Sequence, residues 1–207
     1  MAKSEVEKWL RRRGYVHFDR HIRIAEIRRR AQNAELVSSH GFLPFIGKSI
    51  DELRYNPAVG TVNLKSRPIK YASHIDAHIY AYYAHLLTPL YEDLVRSSAI
   101  DESVLAYRKH PGGKCNIHFA NDAFEWIKGV KCCTAFTFDV EGFFESLDHH
   151  ILKCEWQRLV GETELPLDHY KVFRSITKYA WIELADLANS LGFGRNRIEK
   201  RLSLIHI

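Results

Sequence analysis

The spacing of apolar and polar residues predicts a long helix in the first half of the chain. Apolar side chains recur at helical intervals after Ser73, which stands three residues before Asp76 as in a capping box. Residues 61–73 alternate instead, and Pro68 disfavours helix at the residue before it, which predicts an extended segment. A second strand is predicted at residues 131–140, where the sequence KCCTAFTFDV carries Asp139 near its carboxyl end.

Shorter elements fill the rest of the chain. Charged helices are predicted at residues 3–13 and 20–37, an apolar packed segment at 41–48, and further helices at 119–129, 146–160 and about 166–191. Gly161 is expected to end the helix that begins near Ser146. Helices that flank strands of mixed length indicate an α+β class.

Composition and cysteine usage predict a cytoplasmic protein. Hydrophobic residues make up 46% of the chain and charged residues 27%, and no apolar run reaches the ~20 residues that span a bilayer. The first residues, MAKSEVEKWLRRRG, lack the apolar stretch of a signal peptide. Four cysteines without metal-type spacing predict reduced, mostly buried thiols.

The positive charge is concentrated in the first third. Residues 1–70 hold 15 Lys and Arg against 7 Asp and Glu, whereas residues 71–207 hold 15 against 18. Arg28, Arg29 and Arg30 form one of the basic runs. Such a patch attracts polyanions by counterion release, and it is equally compatible with a solvated helix face.

Asp139 is a candidate metal ligand because it ends the predicted strand just before a turn through Gly142. Mg²⁺ prefers oxygen ligands and keeps positions open for phosphates, so a carboxylate at this place suits phosphoryl transfer. An aspartate after a strand also serves as a helix cap or a turn residue. Spacing alone leaves both alternatives open.

The segment FDVEGFFESLDH (138–149) resembles the first palm motif of reverse transcriptases of the bacterial group II intron, retron and defence-associated types. The resemblance implies that Asp139 binds the catalytic Mg²⁺ ions and that the backbone carbonyl of Val140 contacts one of them. Phe144 falls at the position of the sugar gate, where a bulky ring excludes a ribose 2′-hydroxyl. Asp148 and His149 are expected to cap or orient the following helix.

Two upstream segments are similar to fingers segments of the same family, in the same order. LKSRPIKYAS and the helix after it match the segment that begins with Arg-Pro, so the resemblance implies that Arg67, and more weakly Lys65, contacts the triphosphate of the incoming nucleotide. The segment SVLAYRK resembles the one that follows this helix in the family, and Arg108 matches a family arginine that lies near the template and the nucleotide. Template contacts are also expected from Arg28, Arg29 and Arg30.

The resemblance implies a right-hand polymerase fold, here the fingers plus the first part of the palm. It divides the chain into a basic helical extension (1–60), the fingers (61–131), the start of the palm (132–191) and a truncated tail (192–207). The implied activity is RNA-directed DNA synthesis with Mg²⁺. The expected partners are an RNA template, a DNA or protein primer, deoxynucleoside triphosphates and, as a further candidate, a structured non-coding RNA, with no membrane.

The sequence departs from this family in one respect. The polymerases also carry an aromatic-x-Asp-Asp hairpin, and no Asp-Asp pair occurs in the chain. We therefore expect an amino-terminal fragment, a frameshift product or one part of a split enzyme, inactive by itself. The alternatives are a catalytically silent RNA-binding module, and protein-primed or untemplated nucleotide addition in phage defence.

Overall fold

A computed structural model describes residues 5–15, 17, 19–20, 22–108, 110–130, 132–140 and 142–192. It is a mixed α and β structure, as the sequence predicts. In the part described, the helices are α1 (Ile24–Ala31), α2 (Ala34–Ser38), α3 (His74–Arg96), α4 (Asn116–Gly129), α5 (His149–Val160), α6 (Leu167–Thr177) and α7 (Leu184–Ser190). Short 3-10 helices occupy Glu5–Leu10 and Pro111–Gly113.

The sheet is built on a long two-stranded ribbon. Strands β1 (Phe45–Asn56) and β2 (Thr61–Tyr71) pair antiparallel from Ile46 opposite Tyr71 to Asn56 opposite Thr61. A short third strand, β3 (Trp181–Glu183), pairs parallel with the first residues of β1, giving the order β2–β1–β3. The extended segment predicted at 61–73 is thus confirmed over β2.

Carboxylates and a hydroxyl hold the start of α3. The Oγ of Ser73 accepts from the backbone N–H of Asp76 at 3.1 Å, which confirms the predicted cap. Asp76 is 1% exposed, and its carboxylate faces His40 Nε2 at 2.6 Å and accepts from the N–H of Leu43 at 3.0 Å. Because a buried carboxylate is costly without partners, these contacts fix the segment before β1 against α3.

The contacts of the chain group the described residues into two compact units. One contains residues up to 86 together with those from 164 onward, and the other contains residues 87–163. The first has an apolar core to which α1, α2, β1, α3 and α6 all contribute. In the described part of the second unit, the buried apolar side chains are Val95 and Trp156. The predicted four-segment division by motif remains a prediction.

Helix α5 has a capping residue at each end. Asp148 is the N-cap, and its carboxylate accepts from the N–H groups of His150 and Ile151 at 2.7 and 3.1 Å. Gly161 closes the helix in the left-handed conformation with φ 75°. The capping role expected for Asp148 and the predicted end at Gly161 are both confirmed, and a cap of this kind contributes about 1 kcal/mol.

The strand predicted at 131–140 is wrong for the residues described. Residues 132–140 form no strand, and their side chains are exposed, including Phe136 at 76% and Phe138 at 89%. A strand is stable only when neighbours satisfy its backbone and cover its apolar faces. Propensity alone therefore does not make this segment a strand.

Two further expectations need correction. The helix predicted at 166–191 is interrupted, because residues 181–183 leave the helical path to pair with β1. Trp181 and Ile182 are good strand formers, and pairing with an open strand edge overrides the helical pattern. The cysteines predicted to be mostly buried are all exposed: Cys115 precedes α4, Cys154 lies on α5, and Cys132 and Cys133 lie in the irregular segment.

No helix among the described residues is long and apolar enough to cross a membrane.

The burial of three histidines makes the first unit sensitive to acid. Burial lowers the pKa of His17, His78 and His169 below the ordinary value of 6.5. Below that value the unfolded chain binds protons that the folded chain does not, so the free energy of unfolding should fall as pH drops from 7 to 5.

Urea unfolding monitored by circular dichroism at both pH values tests this expectation. His78→Gln, which cannot gain a proton, should reduce the difference between the two pH values. Stability that stays constant or rises on acidification would contradict the assignment of these histidines as neutral and buried.

Candidate nucleotide and nucleic-acid interface

One face of the ribbon is basic. Residues paired directly across two strands project to the same face, so the register places Lys48, Arg54, Lys65 and Arg67 together with Glu52. No other residue on this face of the ribbon is charged. The face thus has four cations and one anion, and β2 contributes to it from a stretch that is exposed from residue 61 to 68.

Glu52 reduces the positive charge of this face only in part. Its Oε2 lies 3.5 Å from Nη2 of Arg67 and 3.7 Å from Nη2 of Arg54, and all three side chains are about half exposed. Exposed pairs of this length are worth well under ~1 kcal/mol, so a phosphate can displace them. Arg67 and Lys65, the residues expected to contact a triphosphate, therefore lie on an accessible cationic surface.

The opposite face of the ribbon is apolar near its tip. Leu53 pairs with Leu64, and Tyr55 pairs with Val62, and these four side chains are 59–75% exposed. The ribbon is therefore amphipathic: phosphates suit one face, and bases or apolar protein surface suit the other.

The arginine run lies on α1 and is partly neutralised. Glu26 accepts from Arg29 at 2.7 and 2.8 Å and from Arg30 at 2.6 Å, and these hydrogen bonds lower the pKa of Glu26 to about 2. Arg28 is also exposed. Helix α1 therefore carries three arginines and one acid, in keeping with contact to a polyanion and equally with a solvated helix.

Arg108 lies in a different setting from the other predicted residues. Its side chain is 5% exposed. Its Nε donates to Glu92, Nη1 donates to the carbonyls of Asp101 and Val104, and Nη2 donates to the carboxylates of Glu92 and Asp101. These bonds use all five N–H donors of a guanidinium. In this structure Arg108 links α3 to the loop that follows it by hydrogen bonds. A contact between Arg108 and a template would require some of these hydrogen bonds to break.

Asp139, Val140 and Phe144 lie in one exposed, irregular stretch. Val140 and Phe144 are 60% and 68% exposed. Phe144 lies inside a tight turn, in which Gly142 has φ 61° and its carbonyl accepts from the N–H groups of Glu145 and Ser146. The turn predicted at Gly142 is thus confirmed, although Asp139 does not follow a strand.

The described residues do not complete a Mg²⁺ site around Asp139. In the part of the chain that the structure describes, no three His, Cys, Asp or Glu side chains lie close enough to hold a metal ion together. Mg²⁺ requires near-octahedral oxygen ligation, and one carboxylate supplies a small part of it. The metal remains an expectation from the resemblance.

Sequence reasoning missed Lys48 and Arg54, because residues 41–48 were expected only as an apolar packed segment and no strand was predicted over β1. A signal was present. The sequence NPAVG at 56–60 is a turn between two alternating stretches, and Gly60 adopts φ 68° there. A hairpin interpretation would have placed Lys48 and Arg54 on the face that carries Lys65 and Arg67.

The two groups of predicted residues belong to different compact units. Lys65, Arg67 and the α1 arginines lie in the first, and Arg108, Asp139, Val140 and Phe144 lie in the second. Comparison with known proteins adds no assignment: no protein-family model matches the chain, and no curated protein matches it.

Proposed function

We propose that this chain is the nucleotide- and RNA-binding portion of an RNA-directed DNA polymerase of the bacterial group II intron, retron or defence-associated type. The observation that carries the proposal is the basic face of the β1–β2 ribbon. It presents Arg67 and Lys65 on the segment whose sequence resembles the polymerase fingers, and α3 follows that segment directly.

The basic face suits phosphate recognition. Arg67 offers a planar fork of donors that fits two phosphate oxygens at once, and Lys65 adds a mobile positive charge opposite Glu52. Both are exposed, so a polyanion reaches them without rearrangement of a core. Lys48 and Arg54 extend the same charge along the ribbon.

Asp139 and Phe144 have their proposed roles in the complete enzyme. Mg²⁺ held with the help of Asp139 and the Val140 carbonyl would supply charge neutralisation for phosphoryl transfer. The ring of Phe144 would favour deoxynucleotides by excluding a 2′-hydroxyl. Both residues are exposed on the same irregular segment, where they are accessible to a nucleotide.

A catalytically silent RNA-binding module is the second candidate. It is favoured because, within the described residues, Asp139 belongs to no group of three metal-ligating side chains. The two candidates share the basic face and differ in what it recognises. A polymerase portion binds deoxynucleoside triphosphates as well as RNA, whereas the silent module binds RNA only.

Charge reversal on the ribbon tests phosphate binding. Arg67→Glu should weaken RNA binding, measured by fluorescence anisotropy, and should reduce the slope of log K against log salt by about 0.7, as for the loss of one phosphate contact on a single strand. Arg174→Glu is the matched control, since Arg174 is exposed in the same unit and the charge change is equal. Equal effects of the two substitutions would show that only net charge matters.

Photocross-linking of radiolabelled dTTP distinguishes the two candidates. The chain should be labelled within β2, and Arg67→Gln should abolish the label, because the fork that holds the triphosphate is lost. Added RNA template, primer and Mg²⁺ should give no incorporation by the chain alone. RNA binding without any dTTP label would favour the silent module, and incorporation that Asp139→Asn removes would show a complete active site.

A further inference from the structure

The amino-terminal segment (residues 8–13) packs on the first half of α3. Trp9 is 6% exposed, and the centroid of its ring lies 4.9 Å from that of Tyr82. Further along the segment, Nη2 of Arg13 donates to the carbonyl of Ala77 at 3.4 Å. An aromatic contact and a hydrogen bond from a cation thus join the segment to the helix, within the first compact unit.

His78 lies on α3 between these two contacts and is 3% exposed. Its Nδ1 lies 2.5 Å from the carbonyl of His74, one turn earlier, so this nitrogen carries the proton of the neutral ring. Its Nε2 is buried and has no hydrogen-bond partner among the described residues. A second proton, on Nε2, would place positive charge in a buried site, which is costly without an anionic partner.

Among the described residues, the charged groups that face this ring include no carboxylate. From the amino-terminal segment the guanidinium of Arg13 faces it, and the Nε of Arg13 is itself buried without a hydrogen-bond partner in the described part. From α3 the ring of His74 faces it, and Asp19 is already engaged by Nδ1 of His74 at 2.6 Å. Burial lowers the pKa of His78, the carbonyls of His74 and Arg11 raise it in part, and the charge of Arg13 lowers it.

The neutral ring links the packing of the segment to pH. When the segment leaves α3, the ring reaches water and the pKa of His78 returns toward the ordinary value of 6.5. The released state then binds a proton that the packed state excludes, so the packed state has its full stability above that pH. For a single proton, each pH unit below it shifts the equilibrium up to about tenfold toward release.

We propose that residues 8–13 form a strap that protonation of His78 releases from α3 at acidic pH, while the rest of the first unit stays folded. Release exposes Trp9 and the part of α3 beneath it, and it frees the guanidinium of Arg13. Such a local opening costs less free energy than global unfolding. The strap is independent of the polymerase proposal, because it uses no residue of the ribbon or of the Asp139 segment.

Hydroxyl-radical footprinting of the full chain, resolved at each side chain by mass spectrometry, tests the release. Trp9 is protected in the packed state and becomes reactive once the strap is released. Its oxidation should rise about fivefold between pH 7.5 and pH 5.5, because one proton drives the opening. Phe173 is 7% exposed in the core of the same unit and serves as the internal reference, whose oxidation should not change.

Substitutions separate the strap from general effects of acid. His78→Gln cannot gain a proton, so Trp9 should become equally reactive at both pH values. His169→Gln is the matched control: it removes another histidine of the unit whose pKa burial lowers, and it should leave the rise at Trp9 intact. Arg13→Gln removes the cation that faces the ring, so the midpoint of release should move to lower pH.

Three results would overturn the proposal. Oxidation of Trp9 and Phe173 that rises together on acidification would show global unfolding in place of a local release. Equal protection of Trp9 at both pH values in the native chain would show that the strap does not open. A rise at Trp9 that persists in full in His78→Gln would show that another group controls it.

Discussion

Two carboxylates that hold the first turn of α3 are the constraint on which the first unit depends. Asp19 accepts from the backbone N–H of His74 at 2.8 Å and faces Nδ1 of the same histidine at 2.6 Å. Asp76, inside the helix, binds His40 and the N–H of Leu43. Segments far apart in sequence thus meet at one helix end. Removing either carboxylate would leave buried polar partners unsatisfied, which costs more than the bonds themselves are worth.

The contacts at the start of α3 hold the base of the β1–β2 ribbon in place. Tyr71 ends β2 just before the first turn of α3. Ile46, which pairs with Tyr71, is buried, so the base of the ribbon is anchored in the core. Gly47 allows the close approach of β3, since a Cβ there would lie 2.8 Å from the Trp181 ring. Among the residues that the structure describes, no third strand pairs with the ribbon beyond this base, and both faces of the ribbon are largely exposed there. An anchored base with an exposed tip suits a surface that contacts a polyanion.

Capping residues in the sequence predicted the helix ends that depend on neighbouring residues alone. Ser73 and Asp76 identified the start of α3, and Gly161 identified the end of α5. Elements that depend on distant partners were not predictable in this way. Strand β3 exists because β1 offers an edge, and residues 132–140 form no strand although their sequence is rich in apolar and aromatic residues. The setting of Arg108 was also hidden, because its partner Glu92 lies 16 residues away on another element.

The central claim is that the basic face of the ribbon binds nucleic acid, and amide hydrogen exchange with and without a short single-stranded RNA tests it most directly. Backbone amides in a ribbon with open edges exchange readily and slow down when a ligand covers them. The account predicts added protection in residues 48–56 and 61–70 at low salt that disappears at high salt. RNA that binds with protection confined to other segments, and with the ribbon unchanged, would contradict it.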